Sequence, residues 1–577
     1  MIYKLVLFFL ILFSACLKTE KSPFDSNSQS GSAASYVILS GQNAAVQAVS
    51  SSSAAPSAVS YGSSGTFTLI PGNSVNYTPT VTGKVDSWTI SPSLPIGLMF
   101  DSATGSITGT PSASYFTGGF PLTSFTVTAA NSAGKIDFKL EIQILGSGEN
   151  VWTVLHGVTG YDTSAGYGSL FFNSISNSLY AAGQTMGSLD GEVNPNPGSL
   201  SGFVTKYDLD GNRKWTRLNA VSSGNFGQNG LSVDSSENIF IAGTVYGPGV
   251  FDGISAPNNY SAAISKYDSA GNRLWSSLRY LNSSESFANG IYADSSGTVY
   301  LLGNAKGNLD SVSNPAGSDA AVSIMKYSSA GTWLSTNLIG TSSPSTGRHL
   351  TVTSAVTDSS GNLWSAGYSQ AGDKCANPDL KVTPAIFKFN SSTAYQTCYS
   401  LITSAGGTAG DSVVWGIVKD SSDNMFITGY TNRNLDGLTK VSSAGDGFYD
   451  AFIAKFNSSG TLQWKRQLAV SGNTITKAWA ITKSADNFYY ITGQTNANLG
   501  GQTLTGTTDL FVAKYDAGGN LIWVKLLGGA GSVTVGTGIA FDTNNTMYVS
   551  GHSNGDIGGV VNPVKLNNAH LLVRFVK

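Results

Sequence analysis

The chain of 577 residues has few charged side chains, 4 histidines and 3 cysteines. Asp, Glu, Lys and Arg make up 11% of its residues, against about 25% in ordinary soluble domains. The net charge of −2 gives no overall positive field that would attract nucleic acid or anionic lipid. We therefore expect no nucleic-acid partner.

Local motifs of catalysis are also scarce. The sequence has no phosphate-binding glycine loop, no Cys-x-x-Cys pair and no helix motif with His and Glu metal ligands. Hydrophobic residues nevertheless make up 41% of the chain, which also contains 68 glycines. This composition predicts a large core, many turns and a neutral polar surface.

The N-terminus contains an apolar run, residues 5–13, that is too short to cross a bilayer as a helix. Lys4 precedes the run and small residues follow it, which is typical of an export signal. The segment Phe13-Ser14-Ala15-Cys16 resembles a bacterial lipobox. The resemblance implies cleavage before Cys16, lipidation of this cysteine and a membrane anchor. Leu17 in place of Asp favours the outer membrane, facing the periplasm or the cell surface. The alternative is an ordinary signal peptide with a chance cysteine.

Residues 17–60 are rich in Ser, Ala, Gly, Asn and Gln and show no sustained periodicity. Such a composition predicts a flexible tether rather than a packed domain. Its length would hold a folded body clear of a membrane surface.

Residues 61–147 contain short alternating segments, such as 124–128 and 136–142, separated by Gly, Pro and Asn. This spacing predicts a small β-sandwich. The segments Leu94-Pro95-Ile96-Gly97-Leu98 and Gly109-Thr110-Pro111 resemble the immunoglobulin-like domain of bacterial surface proteins of the He_PIG type. The resemblance implies a spacer, and a ligand-binding surface is the alternative.

Residues 148–577 repeat. The segment Asn238-Ile239-Phe240-Ile241-Ala242-Gly243 has related copies along the whole region. The copies end on seven glycines that lie 58 to 64 residues apart: Gly183, Gly243, Gly303, Gly367, Gly429, Gly493 and Gly551. Two further elements follow in register. The first is a basic–aromatic pair: Lys206-Tyr207, Lys266-Tyr267, Lys326-Tyr327, Lys388-Phe389, Lys455-Phe456, Lys514-Tyr515 and Arg574-Phe575. The second is a strand with Trp215, Trp275, Trp333, Trp464 or Trp523, replaced in the fourth unit by Tyr395-Gln396-Thr397-Cys398.

Four short strands every 60 or so residues predict a β-propeller with seven blades. The chain ends on a basic–aromatic strand with no tryptophan strand after it, whereas residues 150–156, with Trp152, precede the first unit. We expect these two strands to pair and close the ring, which removes exposed sheet edges. The units resemble the bacterial SBBP β-propeller repeat, whose diffuse motif implies a fold rather than an activity. The predicted fold class is thus all-β, a sandwich followed by a seven-bladed propeller.

Turn lengths orient the predicted propeller. Short turns such as Asp358-Ser359-Ser360-Gly361-Asn362 join strands one and two, and strands three and four, of each unit. Long loops such as 244–260 and 430–450 must then lie on the opposite face. Binding residues concentrate on loops, so we expect any ligand on the long-loop face.

Several long loops carry an acid after an apolar residue: Asp190, Asp252, Asp310 and Asp436. One hypothesis is a partial ring of carboxylates that binds calcium. The alternative is an Asx turn without a ligand. Because Gly500 and Gly558 take the place of the acid in later units, we favour the turn.

Three of the histidines, His156, His552 and His570, are predicted at the long-loop ends of neighbouring strands in the closing unit. One hypothesis is a zinc site, and the alternative is that they are ordinary polar residues. No carboxylate at ligand spacing supports zinc, so we predict no cofactor.

Cys375 and Cys398 both lie in the fourth unit of a chain expected in an oxidising compartment. Their spacing leaves a disulfide and two free thiols equally open.

Two functions remain. The favoured one is an envelope-anchored lipoprotein, monomeric, that binds a protein or glycan through the long-loop face as a scaffolding or adhesion module. The alternative is a propeller enzyme, such as a lyase, glycosidase or quinone-dependent dehydrogenase, with its site at the central channel.

Overall fold

The computed structural model describes residues 54–576 except 63–64, 258–259, 281–284, 316–319, 341–349, 370–374, 376–381, 402–411, 436, 445–446 and 566, and except the side chains of residues 167–168. The described residues form β-strands and turns with one short 3-10 helix, Ala113–Phe116. The prediction of an all-β chain is confirmed. Cys16 and most of the expected tether lie outside the described residues.

The N-terminal module consists of nine strands. They are β1 (Ser57–Ser60), β2 (Thr66–Leu69), β3 (Val75–Tyr77), β4 (Thr80–Thr82), β5 (Ser87–Ser91), β6 (Leu98–Phe100), β7 (Ile107–Gly109), β8 (Phe120–Asn131) and β9 (Gly134–Ile144). A four-stranded sheet with the order β2-β9-β8-β5 and a three-stranded sheet with the order β3-β7-β6 share one apolar core. Trp88, Ile107, Phe125 and Leu140 lie in this core, so packing holds the module together without a disulfide.

The module begins earlier than the sequence suggests. Strand β1 lies within the predicted tether and pairs with β4, and Val59 on this strand is buried. A strand of four residues gives almost no periodic signal. The structure thus pairs Ser57–Ser60 with the module that follows.

The remaining strands form the repeating region. They are β10 (Asn150–His156), β11 (Thr163–Asn173), β12 (Ser178–Thr185), β13 (Ser201–Tyr207), β14 (Arg213–Asn219), β15 (Asn225–Val233), β16 (Ile239–Tyr246), β17 (Gly249–Phe251), β18 (Ile254–Ala256), β19 (Ser261–Tyr267), β20 (Arg273–Arg279), β21 (Glu285–Ala293), β22 (Val299–Lys306), β23 (Ala320–Tyr327), β24 (Trp333–Ile339), β25 (Leu350–Thr357), β26 (Leu363–Ser369), β27 (Thr383–Phe389), β28 (Tyr395–Ser400), β29 (Ser412–Lys419), β30 (Met425–Thr431), β31 (Asp450–Phe456), β32 (Leu462–Leu468), β33 (Thr476–Lys483), β34 (Tyr489–Thr495), β35 (Asp509–Tyr515), β36 (Leu521–Leu527), β37 (Thr534–Phe541), β38 (Met547–Ser553) and β39 (Ala569–Phe575).

These strands assemble into four-stranded antiparallel sheets, or blades, each made from one sequence unit. The sheet orders are β11-β12-β13-β14, β15-β16-β19-β20, β21-β22-β23-β24, β25-β26-β27-β28, β29-β30-β31-β32, β33-β34-β35-β36 and β10-β39-β38-β37. The last sheet joins both ends of the region, because Trp152 on β10 pairs with Arg574 on β39. The first strands of successive blades contact one another, and β37 contacts β11, so the blades form a closed ring.

Six of the seven inner strands have a β-bulge at the same place, one residue before a small residue, and β11 has a longer irregularity between Ala165 and Leu170. The small residue is needed because inner strands of adjacent blades approach closely there. A Cβ on Gly290 would lie 2.1 Å from the carbonyl oxygen of Thr353 in the next blade. The bulge thus turns one side chain per blade away from the ladder while the backbones pack together.

In several blades the tryptophan of the outer strand bonds the short turn of the next blade. The indole Nε1 of Trp275 donates to the carbonyl oxygen of Ser329, in the short turn of the following blade, at 3.3 Å. Lys266 Nζ donates to the same oxygen at 2.7 Å. Trp215 and Lys206 repeat this arrangement at the carbonyl of Ser269, whereas Trp333 Nε1 donates to Thr336 of its own strand. Where the arrangement is present, the basic–aromatic pair and the tryptophan hold the same turn.

The turn presents a glycine to the indole face. Gly331 has a φ of 85°, and a Cβ there would lie 2.6 Å from the Trp275 ring. In the fourth blade the Tyr399 ring, rather than Tyr395, lies against the following turn at Gly460. The sequence placed the segment Tyr395-Gln396-Thr397-Cys398 at the tryptophan position, and Tyr399, just after this segment, takes the role.

Replacing Gly331 with Ala should destabilise the propeller more than replacing Gly191 with Ala. Both glycines have a φ of 85°, but a Cβ at Gly191 would meet no atom within 4 Å. Each alanine carries the left-handed backbone cost of about 1–2 kcal/mol, and only Gly331→Ala adds overpacking of about 1–3 kcal/mol. Denaturant unfolding of both variants measures the difference. Equal losses would show that the indole contact contributes nothing.

Candidate functional site

A central channel runs between the inner strands and contains a cavity of about 540 Å³. It is lined from the bulges, such as Asn229 and Trp479, to the strand ends at Val233 and Lys483. The strand ends lead directly into the short turns. The cavity therefore occupies the half of the channel nearer the short turns, opposite the long-loop face on which the sequence analysis placed binding.

A ring of apolar side chains surrounds the cavity at one depth. Its members follow the bulge by two residues, or occupy the matching position in the first blade, and each is 6% to 8% exposed: Leu170, Leu231, Ile291, Ala355, Ile417, Ile481 and Ile539. Among the lining residues that the structure describes, Lys483 alone carries a formal charge, and its Nζ donates to Asn487 Oδ1 at 3.0 Å. The cavity thus offers shape and apolar contact rather than an acid–base pair.

The bulge side chains differ from blade to blade. Asn229, Asn289 and Thr353 take this position in three blades, whereas Trp415 and Trp479 take it in the next two. The two indoles contact each other edge to face, with ring centroids 5.3 Å apart. An alignment of the units on their closing glycines would have revealed these two tryptophans, because it places both at one position of the repeat, outside the tryptophan strand.

Further aromatic residues lie beyond the bulges on the long-loop side. Tyr430 ends its strand before a long loop, Tyr449 ends that loop, and both are half-buried. The Tyr430 and Trp479 rings are 5.3 Å apart, and the Tyr430 and Tyr449 rings are 5.2 Å apart. Trp479 therefore connects the channel wall with an aromatic cluster at the long-loop mouth.

The three histidines of the closing blade do meet as the sequence predicts. His570 pairs across the sheet with His552 on one side and with His156 on the other. However, His156 Nε2 lies 2.8 Å from Asp190 Oδ2, and its Nδ1 lies 3.2 Å from Tyr207 Oη. Asp190 and Tyr207 thus surround His156, and the zinc hypothesis stays a prediction. No group of three metal ligands occurs in the described part of the chain.

The loop acids are bound by the protein itself. Asp190 Oδ1 lies 2.7 Å from Arg213 Nη1, Asp252 pairs with Arg273, and Asp310 Oδ1 lies 3.2 Å from Arg279 Nη1. Burial alone would raise the pKa of Asp190, but bonds from His156 and Thr216 and the charge of Arg213 hold the pKa below its ordinary value.

Each of these acids also accepts a hydrogen bond from a hydroxyl of the outer strand, namely that of Thr216, Ser276 or Thr336. Their φ values of 51° to 56° place them in turns. The calcium hypothesis is therefore not supported at Asp190, Asp252 and Asp310, whereas Asp436 lies outside the described residues.

The sixth unit shows one reason why glycine replaces the acid. In the sixth blade a Cβ at Gly500 would lie 2.5 Å from Cβ of Val524, which occupies the position of the hydroxyl residue. This blade thus follows a packing rule, in which an apolar outer-strand residue accompanies glycine. The closing blade does not follow it, because Gly558 faces the hydroxyl of Thr153.

The structure joins Cys375 and Cys398 in a disulfide, with their Cα atoms 5.2 Å apart. The bond ties a long loop of the fourth blade to its outer strand. Of the two alternatives left by the sequence, the geometry fits the disulfide. The bond lies away from the channel lining and has no part in the site.

No helix in the described part of the chain is long and apolar enough to cross a membrane.

The closed ring of blades and the preceding sandwich define a propeller-type protein with an N-terminal β-module. A family model described as "Beta-propeller repeat" matches residues 522–558, and one described as "Putative Ig domain" matches residues 37–144. The chain thus combines the SBBP repeat with the He_PIG-type domain, the architecture that its sequence resembles.

Other known proteins are similar to parts of the chain. An uncharacterised WD repeat-containing protein of Acanthamoeba polyphaga mimivirus is 29% identical over 24% of this chain and 12% of its own length. The regulatory protein FlaEY of Caulobacter vibrioides is 26% identical over 25% of this chain and 16% of its own length. The chain therefore spans less than a fifth of these relatives. The periplasmic gluconolactonase PpgL of Pseudomonas aeruginosa is 12% identical, with 72% of this chain and 99% of that chain covered and a TM-score of 0.39.

Thr336→Val and Asp310→Gly should be coupled in stability. Thr336→Val leaves the carboxylate of Asp310 short of a partner, a loss of about 1–3 kcal/mol. Adding Asp310→Gly recreates the Gly500–Val524 pairing and should recover part of that loss. Unfolding free energies of the wild type, both single variants and the double variant form a cycle. Strict additivity would disprove the packing rule.

Acid should destabilise the ring through His570. Burial, followed by the charges of His156 and His552, lowers the pKa of His570 to about 3. The unfolded chain binds the proton near pH 6.5, so stability is complete above that pH and declines as the pH falls towards 3.

His570→Phe tests this, because it keeps an aromatic ring beside Phe203 and Tyr207. Between pH 6 and 4 the variant should lose less unfolding free energy than the wild type, by up to about 1.4 kcal/mol per pH unit. Parallel curves for the two proteins would refute the assignment.

Proposed function

We propose that the chain is an exported lipoprotein, anchored through Cys16 in the outer membrane, that binds a protein or glycan of the cell envelope through the long-loop face of its propeller. The observation that carries the binding role is the aromatic surface at the long-loop mouth of the channel. Two clusters form it, one with Tyr430, Tyr449 and Trp479, and one with Tyr246, Tyr260 and Phe287.

The second cluster lies at the corresponding place between the second and third blades. The Tyr260 ring is 5.1 Å from both Tyr246 and Phe287, and all three side chains are half-buried. Rigid aromatic rings provide large contact area at low entropic cost. Clustered rings that remain partly accessible around a concave mouth support recognition of a ligand there.

The electrostatics favour binding over catalysis. Three described acids of the long loops, Asp190, Asp252 and Asp310, are paired with arginines, and Lys483 is the charged group of the described channel lining. A propeller hydrolase or lyase requires an acid–base group beside the substrate. The enzyme alternative therefore lacks the observation that would make it the first choice.

The long-loop face should carry the binding residues. We expect Tyr260→Ser and Tyr449→Ser to weaken binding of the full-length protein to immobilised envelope polysaccharide or matrix protein at least tenfold, because each removes a contact ring. Tyr292→Ser is the control, since Tyr292 lines the channel in the half nearer the short turns. Surface plasmon resonance gives the affinities.

The opposite pattern, with loss only in Tyr292→Ser, would move the site into the channel and contradict the proposal.

Membrane fractionation of cells that express Cys16→Ser tests the anchor. The variant should leave the outer-membrane fraction, and its retention there would contradict lipidation.

A further inference from the structure

One lysine at the long-loop mouth is surrounded by aromatic rings. Lys477 Nζ lies 3.8 Å from the ring centroid of Tyr449, 4.5 Å from that of Tyr430 and 5.9 Å from that of Trp479. Lys477 is half-buried and stands two residues before the bulge that carries Trp479. It therefore lies where the aromatic cluster meets the channel.

The charge of Lys477 is not neutralised by a described acid. Two other cations on this side are paired with acids: Lys306 Nζ lies 2.5 Å from Glu285 Oε2, and Arg279 Nη1 lies 3.2 Å from Asp310 Oδ1. Burial lowers the pKa of Lys477, and no carboxylate in the described residues forms an ion pair that would offset this. The π faces stabilise the ammonium in part, but they supply no counter-charge.

The cluster is held in place before any ligand arrives. Trp479 Nε1 donates to Gln494 Oε1 at 3.3 Å, and Gln494 is the cross-strand neighbour of Lys477. The backbone of Tyr449 accepts a hydrogen bond from Thr476 N at 2.8 Å. Because neighbouring strands fix both sides of the cluster, a ligand would not have to order it.

The aromatic cluster of Tyr246, Tyr260 and Phe287, between the second and third blades, can be compared with the cluster around Lys477. Tyr260 corresponds to Tyr449, since each directly precedes the third strand of its blade. Phe287 corresponds to Lys477, because each stands one residue before the alanine that pairs with the closing glycine. The two clusters thus share their tyrosine positions, and of the two the cluster around Lys477 contains a cation.

We propose that the long-loop surface around Lys477 binds an acidic polysaccharide, with a sugar carboxylate at the Lys477 ammonium and a pyranose face against the half-buried rings of Tyr430 and Tyr449. The inference rests on the proposed function of the long-loop face and specifies its ligand class. A uronate residue combines an anionic group with an apolar C–H face on one rigid ring. An ammonium bordered by aromatic faces complements both parts at once.

The charge of Lys477 supports this ligand over a merely hydrophobic one. A buried or half-buried cation without a counter-ion is costly, and an anionic ligand removes this cost. Trp415, edge to face with Trp479, continues the aromatic surface into the channel wall. A chain end or a short segment of a polymer therefore has contact area beyond the single charged sugar.

The test is isothermal titration of the full-length protein in detergent with hexagalacturonate, with maltohexaose as the neutral probe. Lys477→Gln should weaken hexagalacturonate binding about tenfold, which corresponds to about 1.4 kcal/mol for one charge-assisted contact. Lys477→Arg should keep most of the affinity. Lys483→Gln is the matched control, because Lys483 lies on the same strand at the opposite end of the channel.

The outcomes separate the two proposals. Hexagalacturonate binding that Lys477→Gln leaves unchanged, or equal affinity for maltohexaose, would overturn the acidic-sugar inference while a long-loop binding role stands. Stronger binding of oligoglutamate than of hexagalacturonate would also overturn it, in favour of an acidic protein. Binding of the probe that Lys483→Gln abolishes would contradict both proposals, because it would place the site at the other mouth.

Discussion

The contact between the tryptophan of one blade and the short turn of the next is the interaction on which the ring depends. The indole nitrogen and the neighbouring lysine donate to one turn carbonyl, as at Trp275, Lys266 and Ser329. The glycine of the same turn lies against the ring face. The contact thus joins the outer strand of one blade to the turn of the next. Where it is altered, as at Tyr399 in the fourth blade, another aromatic ring takes the same position.

The chain has few charged side chains, and many of them form contacts that hold the blades together. Many of its charged groups serve within a blade or between blades, as in the pairs of Asp190 with Arg213 and Asp310 with Arg279. The surface left for a ligand is consequently aromatic and neutral. Lys477 gives the aromatic cluster of Tyr430 and Tyr449 a positive charge, whereas the cluster of Tyr246 and Tyr260 has the neutral Phe287 at the same position.

Because the sequence repeats, much of the fold could be predicted from it. The spacing of the closing glycines predicts the blades, and the position of Trp152 relative to Arg574 predicts the strand that closes the ring, which the cross-strand pairing shows. The convergence of His156, His552 and His570 also follows from this register. The partners of His156 could not be predicted from this register, because Asp190 and Tyr207 belong to a neighbouring blade. The same holds for the loop acids, whose arginine partners lie on other strands.

The order of strands, the closure of the ring and the division into short-turn and long-loop faces were determined by the sequence alone, because each follows from a period or a turn that is local in the chain. Which side chains meet across the channel mouth was decided only by the tertiary structure. Tyr430, Tyr449 and Lys477 come from separate segments of two blades, and the matching positions of another blade pair carry different residues, such as Phe287 in place of Lys477. Their proximity arises because the bulges and small residues bring the inner strands together, so that loops far apart in sequence end at one mouth.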